Sequence, residues 1–173
     1  MRTFLTAIAI CFSSVGFSAP HPLTGSSLIN KADNGMAFAL LGFSVSGIPE
    51  FWVFNKTLET SLPSLELGLP QKTLLSFRVE TVSQKIQLEN YVRQYLRDYN
   101  QYGFEVTGLQ SLSRNDSPSV IVDLNQRNKT SRSRQMFFLK EGKLVIATCS
   151  DDAAKFNSTV AICNNILGSF KWN

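Results

Sequence analysis

A chain of 173 residues is long enough to bury a core of its own and falls within the size of one domain. Its 17 Lys and Arg against 13 Asp and Glu leave a formal charge of +4, far from the clustered basicity of a nucleic-acid binder. It holds one histidine and three cysteines, which argues against a zinc site of four such ligands.

The first residues, "MRTFLTAIAICFSSVGFSAP", place one Arg2 before an apolar run from Phe4 to Phe12 and then small residues. This is the pattern of a secretory signal peptide over residues 1–18, with Gly16 and Ser18 as the small residues at a cut after Ser18. The run is shorter than the roughly 20 residues of a membrane span. Lipidation at Cys11 is disfavoured because Ile10 stands where a small residue belongs. Export would remove Arg2 and Cys11, leaving 16 basic and 13 acidic groups and no second long apolar run, hence a soluble product without a transmembrane span. Residues 19–35, rich in Pro, Ser, Asn and Gly and aperiodic, read as a flexible segment carrying the lone His21.

A single domain is expected over 36–173. It starts with a β-type run from Met36 to Ser46, followed by the aromatic "PEFWVF" with Phe51, Trp52 and Phe54. "SLELGLP" alternates, with Leu65, Leu67 and Leu69 on one face. "TLLSFRVETV" points Leu75, Phe77 and Val79 inward and Ser76, Arg78 and Glu80 outward. The period then changes: Leu88, Val92, Tyr95, Leu96 and Tyr99 form a helical stripe, with Gly103 at the C-terminal position. Four strands follow, "FEVTGLQSL", "PSVIVDLNQ", "SRQMFFLK" and "KLVIATCS", the last two joined by a tight turn at Gly142. Phe156, Val160, Cys163, Leu167 and Phe170 mark a closing helix, with Asn157 or Ser158 as its N-cap. Short connections between successive strands predict antiparallel pairing, with one helix in the middle and one at the end to cover the sheet.

This order, together with "GFSVSGIPEFW" (Gly42 to Trp52) and "LVIATCSDDAAKFNSTVAICNNILGSFKW" (Leu144 to Trp172), resembles the Mog1/PsbP-like family. The resemblance covers roughly Ala37 to Trp172. It implies an α+β fold, a mostly antiparallel six- to seven-stranded sheet flanked by helices as an α/β/α sandwich. It also implies a non-catalytic adaptor, since members of that group look like binding proteins: a nuclear one engages a small GTPase and plant ones are extrinsic photosystem subunits. A signal peptide makes the first role inapplicable, and nothing in the residues favours the second.

Cys149 and Cys163 are an even pair in a chain read as exported, which favours a disulfide over two free buried thiols. A CxxC redox motif is missing, and neither cysteine has metal-ligand companions at zinc spacing. Asp151 and Asp152 read as structural residues at the start of the last helix rather than an acid–base pair. No catalytic, cofactor or metal site is therefore expected; a hydrolase of unknown type is the distant alternative. Two candidate partner-binding features stand out. Arg127, Lys129, Arg132 and Arg134 fall within eight residues between two strands, either a solvated hairpin tip or a contact for an acidic protein, anionic lipid or wall polymer. Phe51, Trp52 and Phe54 are either core anchors or an exposed interface. The expected function is a periplasmic protein-binding subunit of a cell-envelope complex, with no nucleic-acid partner. The alternative is a carrier of a small apolar or lipidic ligand held between sheet and helix.

Overall fold

The computed structural model describes residues 30–32, 35–38, 41–55, 64–114 and 117–173. The expected signal peptide and His21 lie outside the described residues. Strands β1 (Asn30–Ala32), β2 (Gly35–Phe38) and β3 (Phe43–Ser46) open the described chain. The expected strand from Met36 to Ser46 is thus two, broken by a turn at Leu41 and Gly42, and β2 and β3 pair antiparallel. β1 falls inside the segment read as aperiodic.

The main sheet has seven antiparallel strands: β4 (Val53–Asn55), β5 (Ser64–Leu69), β6 (Lys72–Thr81), β7 (Phe104–Arg114), β8 (Ser117–Gln126), β9 (Ser131–Lys140) and β10 (Lys143–Asp152). Side by side they run β4-β5-β6-β10-β9-β8-β7. Helix α1 (Leu88–Leu96) connects β6 to β7, and α2 (Phe156–Gly168) follows β10. A two-residue strand β11 (Lys171–Trp172) then returns to pair with β3, closing the small sheet in the order β1-β2-β3-β11. This last strand has no periodic signal in the sequence.

Alternation along the strands splits the apolar side chains into two cores. On one face Leu67, Leu75, Phe77, Met136, Val145 and Ala147 pack under α2, which contributes Cys163, Ile166 and Leu167. Phe43 of β3 joins this core, its ring 5.3 Å from Phe77 and 5.2 Å from Phe170. Phe170 stacks on Phe138 at 3.8 Å, so the residues just after α2 lock the small sheet onto the large one. On the opposite face Val120, Val122, Leu124, Phe137, Leu144 and Ile146 pack under Leu88, Val92 and Leu96 of α1. Both faces are covered, so the outward residues of β6 do not all meet water. Arg78 and Glu80 lie beneath α1, where Tyr91 donates a 2.7 Å hydrogen bond to Glu80.

Two backbone details set the register. Between β9 and β10 the turn residues Glu141 and Gly142 both have positive φ (49° and 78°), the two-residue hairpin geometry that matches strand twist. Between β5 and β6 the register jumps from Leu67↔Leu75 to Gly68↔Thr73, leaving Leu74 as the extra residue of a bulge. A side chain at Gly68 would collide with the Lys72 carbonyl oxygen, so this close approach requires glycine. The bulge breaks the alternation of β6, where the adjacent Leu74 and Leu75 are both buried; Leu69, at the end of β5, emerges at the surface.

The helix ends differ from expectation. Lys155, not Asn157 or Ser158, occupies the N-cap of α2, and no side chain caps it; Ser158 instead donates to the Lys155 carbonyl. α1 stops at Leu96, well short of Gly103. Beyond it the amides of Arg97, Tyr99, Gln101, Tyr102 and Gly103 each bond three residues back, a tightened run of turns.

Cys149 and Cys163 form a disulfide that joins β10 to α2 across 14 residues. Both cysteines are fully buried. Closing a loop of this size is worth about 3 kcal/mol in the chain-entropy account. Replacing both with Ala is therefore expected to lower Tm by about 6–12 °C in a calorimetric scan. An unchanged Tm, or two titratable thiols in the unfolded oxidised protein, would contradict the staple.

Candidate functional surfaces

The four basic residues do not make one loop. The strands β8 and β9 run to Gln126 and from Ser131, so only Arg127 and Lys129 occupy the turn between them. Lys129 adopts a positive φ of 58° at its tip, and Arg127 donates to Asn100 at 2.9 Å. Arg132 and Arg134 belong to β9 itself and point to the α2 face. Arg134 grips Asp123 of β8 through two hydrogen bonds of 2.8 and 3.0 Å and reaches Asn164 of α2 at 3.2 Å. Arg132 bonds Asn125 and Asn157, and its guanidinium lies 4.9 Å from the ring centre of Phe156. These two arginines are already occupied in holding α2 against β8 and β9. Spacing grouped all four between two strands because strand ends cannot be read in a polar stretch, although Arg134 already falls in the run "SRQMFFLK".

The aromatic segment divides as well. Trp52 is buried in the α2-side core, and Phe54 packs partly against it. Phe51 is 62% exposed, and two further apolar side chains, Val53 and Leu69, are exposed near it in the fold. Register places Val53 opposite Gly68, so it shares the face of Gly68, while the next residue, Leu69, points to the other; the three exposed side chains flank the β4–β5 edge of the main sheet. Trp52 is an anchor; Phe51, with Val53 and Leu69, is a surface.

A feature absent from the sequence reading lies on the α1 face. Because α1 ends at Leu96, the sheet beyond its C-terminus carries no helix, and a cleft of about 670 Å³ opens there. Its floor is a ladder of small and polar side chains, Gln135 opposite Thr148 and Ser133 opposite Ser150. One wall is Tyr99, Tyr102 and Phe104; the other holds Lys72 and Thr73. Tyr99 is the last of a ladder that runs Tyr91, Tyr95, Tyr99 along α1 and its extension, with Tyr99 donating to the Tyr95 hydroxyl at 2.8 Å. Burial pushes the Tyr91 and Tyr99 phenols above their ordinary range, so both stay protonated donors at neutral pH. Gln135 is only 6% exposed; its amide nitrogen donates to Tyr99 at 3.1 Å, while its oxygen is buried without a partner. The signal for this residue was a lone amide in "SRQMFFLK", at a position sharing its face with Phe137.

At the cleft rim Lys72 bridges Asp151 at 2.6 Å and Asp152 at 2.9 Å. Asp151 and Asp152 therefore act as an ion-pair clamp between β10 and β6, not as helix-start residues. The Asp151 side chain is 4% exposed and also accepts from Thr159 of α2 and from the Asp152 amide. Burial alone would raise its pKa, but the hydrogen bonds from Lys72, Thr159 and the Asp152 backbone outweigh it and hold the carboxyl below the usual aspartate range. A carboxyl held ionised in this way is a poor proton donor. Among the described residues no group of three or more His, Cys, Asp or Glu is placed to hold a metal ion.

Asp151 has a depressed folded pKa, so its stabilisation is complete above the ordinary value of 3.8 and is lost as pH falls through the lower folded value. Asp151→Ala is expected to cost about 2 kcal/mol at neutral pH. The gap from the parent protein should narrow only below about pH 4 in urea titrations. A gap that closes above pH 5 would contradict the depressed carboxyl.

No protein-family model matches the chain, and no curated protein matches it by sequence. Comparison with solved structures gives cyanobacterial PsbP (CyanoP) from Synechocystis, with a TM-score of 0.64 at 11% identity, covering 80% of this chain and 91% of that one. Two structures match more loosely. One is a protein of unknown function from Pseudomonas aeruginosa, with a TM-score of 0.47 at 14% identity, covering 65% of this chain and 91% of that one. The other is a protein from Bacteroides thetaiotaomicron, with a TM-score of 0.46 at 11% identity, covering 76% of this chain and 45% of that one. The seven-stranded antiparallel sheet with a helix packed on each face is the Mog1/PsbP-like fold.

Proposed function

We propose that this protein is an exported, non-catalytic binding module that serves as an accessory subunit of a cell-envelope complex. The observation that carries the reading is the exposure of Phe51 and Val53 at the β4 edge strand, with Leu69 exposed at the end of the neighbouring β5. Exposed aromatic and aliphatic side chains grouped on a sheet corner are the usual anchors of a protein contact. The Cys149–Cys163 disulfide supports a location outside the reducing cytoplasm, as does the signal-like pattern of residues 1–18. Among the described residues no helix is long and apolar enough to cross a membrane.

Arg132 and Arg134 contribute little to partner recognition, because their guanidinium groups are engaged within the fold; Arg127 and Lys129 remain at the exposed turn. A non-catalytic role is supported by the clamped state of the cleft carboxylates Asp151 and Asp152.

The test places a photo-crosslinking residue at position 51 in the protein exported by its own host, and a second at position 129. A discrete adduct from position 51 is expected, and it should be lost in a Val53→Glu, Leu69→Glu background that keeps the parent Tm. Substituting anchors of this kind commonly weakens a contact by about 2 kcal/mol, or roughly thirtyfold. Absence of any adduct at 51, or an adduct indifferent to the two charges, would overturn the reading.

A further inference from the structure

We propose that the cleft beyond the C-terminus of α1 is a binding site for a neutral, polyhydroxylated ligand, a saccharide of one or two rings. Its Lys72–Thr73 wall pairs with Gly68 and Leu69 beside the β4–β5 corner, but the proposal does not rest on the reading of that corner.

Three observations select the class. First, the floor presents hydrogen-bonding groups that the fold does not consume. The oxygen of Gln135 is buried and unpartnered, although the side chain lines the cleft. A buried amide oxygen left without a donor is unfavourable, and a rotation of the Gln135 side chain would bring it to a ligand hydroxyl entering the cleft. Beside it stand the hydroxyls of Thr148, Ser133 and Ser150, each able to donate and accept. These small side chains take the place that Phe137 and Ile146 fill one step along the same strands, so the floor is recessed where they lie.

Second, the rim charges cancel one another. Lys72 is paired with Asp151 and Asp152, and Arg132 is engaged by Asn125, Asn157 and the ring of Phe156. Among the described residues lining the cleft every cation is already engaged, so a phosphate or carboxylate is poorly served, and a metal ion would have to displace an ammonium from the two carboxylates. Polar groups without net field suit an uncharged ligand.

Third, one wall is aromatic. Tyr102 is 74% exposed and stands beside the cleft with Tyr99 and Phe104. A large exposed ring that covers no core gives a flat surface for the C–H face of a sugar, while the floor meets its hydroxyl edge. The volume of about 670 Å³ is open at the top and admits one ring or two, or the end of a longer glycan.

The test uses the full chain in protein-observed NMR with two probes, cellobiose and N,N′-diacetylchitobiose. Cosedimentation with purified peptidoglycan sacculi separates a free sugar from a polymer as the source. Saturable shifts are expected for residues 99–104, 131–135 and 148–152 and for the Gln135 amide group. Tyr102→Ala, which removes a solvent-exposed ring, should raise the dissociation constant about five- to tenfold at unchanged Tm. Gln135→Met should abolish the response, and Phe51→Glu should leave it intact. No saturable shift from either disaccharide up to about 50 mM, beyond the millimolar range expected of a small ligand in an open cleft, together with no sedimentation, overturns the proposal. So do shifts confined to other surfaces, or shifts indifferent to Tyr102→Ala.

Discussion

Strand β10 is shared between two cores, and the placement of the other elements follows from that. Val145, Ala147 and Cys149 turn to α2, while Leu144 and Ile146 turn to α1, and all five are buried. A strand buried on both faces must lie in the middle of its sheet, paired with β6 on one side and β9 on the other. Its two ends are fastened separately. The Glu141–Gly142 turn holds the first, and the Lys72 ion pairs with Asp151 and Asp152 hold the second. Cys149 then carries the disulfide to α2, so the strand that organises both cores is covalently tied to the helix over one of them.

The two faces are covered unequally, and this difference creates the surfaces. On one face α2 spans thirteen residues and is continued by Phe170 and β11, which draw the small sheet in; Ser169 fastens this junction by accepting the Ser46 amide at 2.6 Å. On the other face α1 spans nine residues and gives way to tightened turns. The uncovered end of that face cannot present bare apolar side chains to water, and it does not: the positions there are Ser131, Ser133, Gln135, Thr148 and Ser150. The polar cleft is the consequence of a short helix over a long sheet.

Much of the fold was legible in the sequence because it rests on local periodicity. The alternation of Leu75, Phe77 and Val79, the stripe of Leu88, Val92 and Leu96, and the glycine turn at 142 each report a single element. The even pair Cys149 and Cys163 was legible too, because its geometry depends on neighbouring elements joined by a short connection. What escaped depends on long-range packing. β11 has two residues, and its partner β3 lies more than 120 positions earlier, so no local pattern announces it. Arg78 and Glu80 alternate as surface residues would, and only the arrival of α1 puts them under Tyr91 and Tyr95. The same limit applies to the candidate sites. Spacing grouped Arg127, Lys129, Arg132 and Arg134, but strand register sent the last two to the α2 face. Phe51 and Trp52 are adjacent in sequence and opposite in fate, one exposed and one buried. Gln135 gave only the faint signal of one amide in an apolar strand.

The proposed partner contact lies at the β4–β5 corner of a disulfide-tied domain. Hydrogen–deuterium exchange of the protein in envelope extracts of its own host, compared with the purified domain, tests this proposal most directly. Binding at that corner predicts added protection at residues 51–55 and 66–70, with the exchange of β9 and β10 unchanged. Protection confined to the 127–130 turn, or no difference anywhere between extract and purified domain, would contradict it.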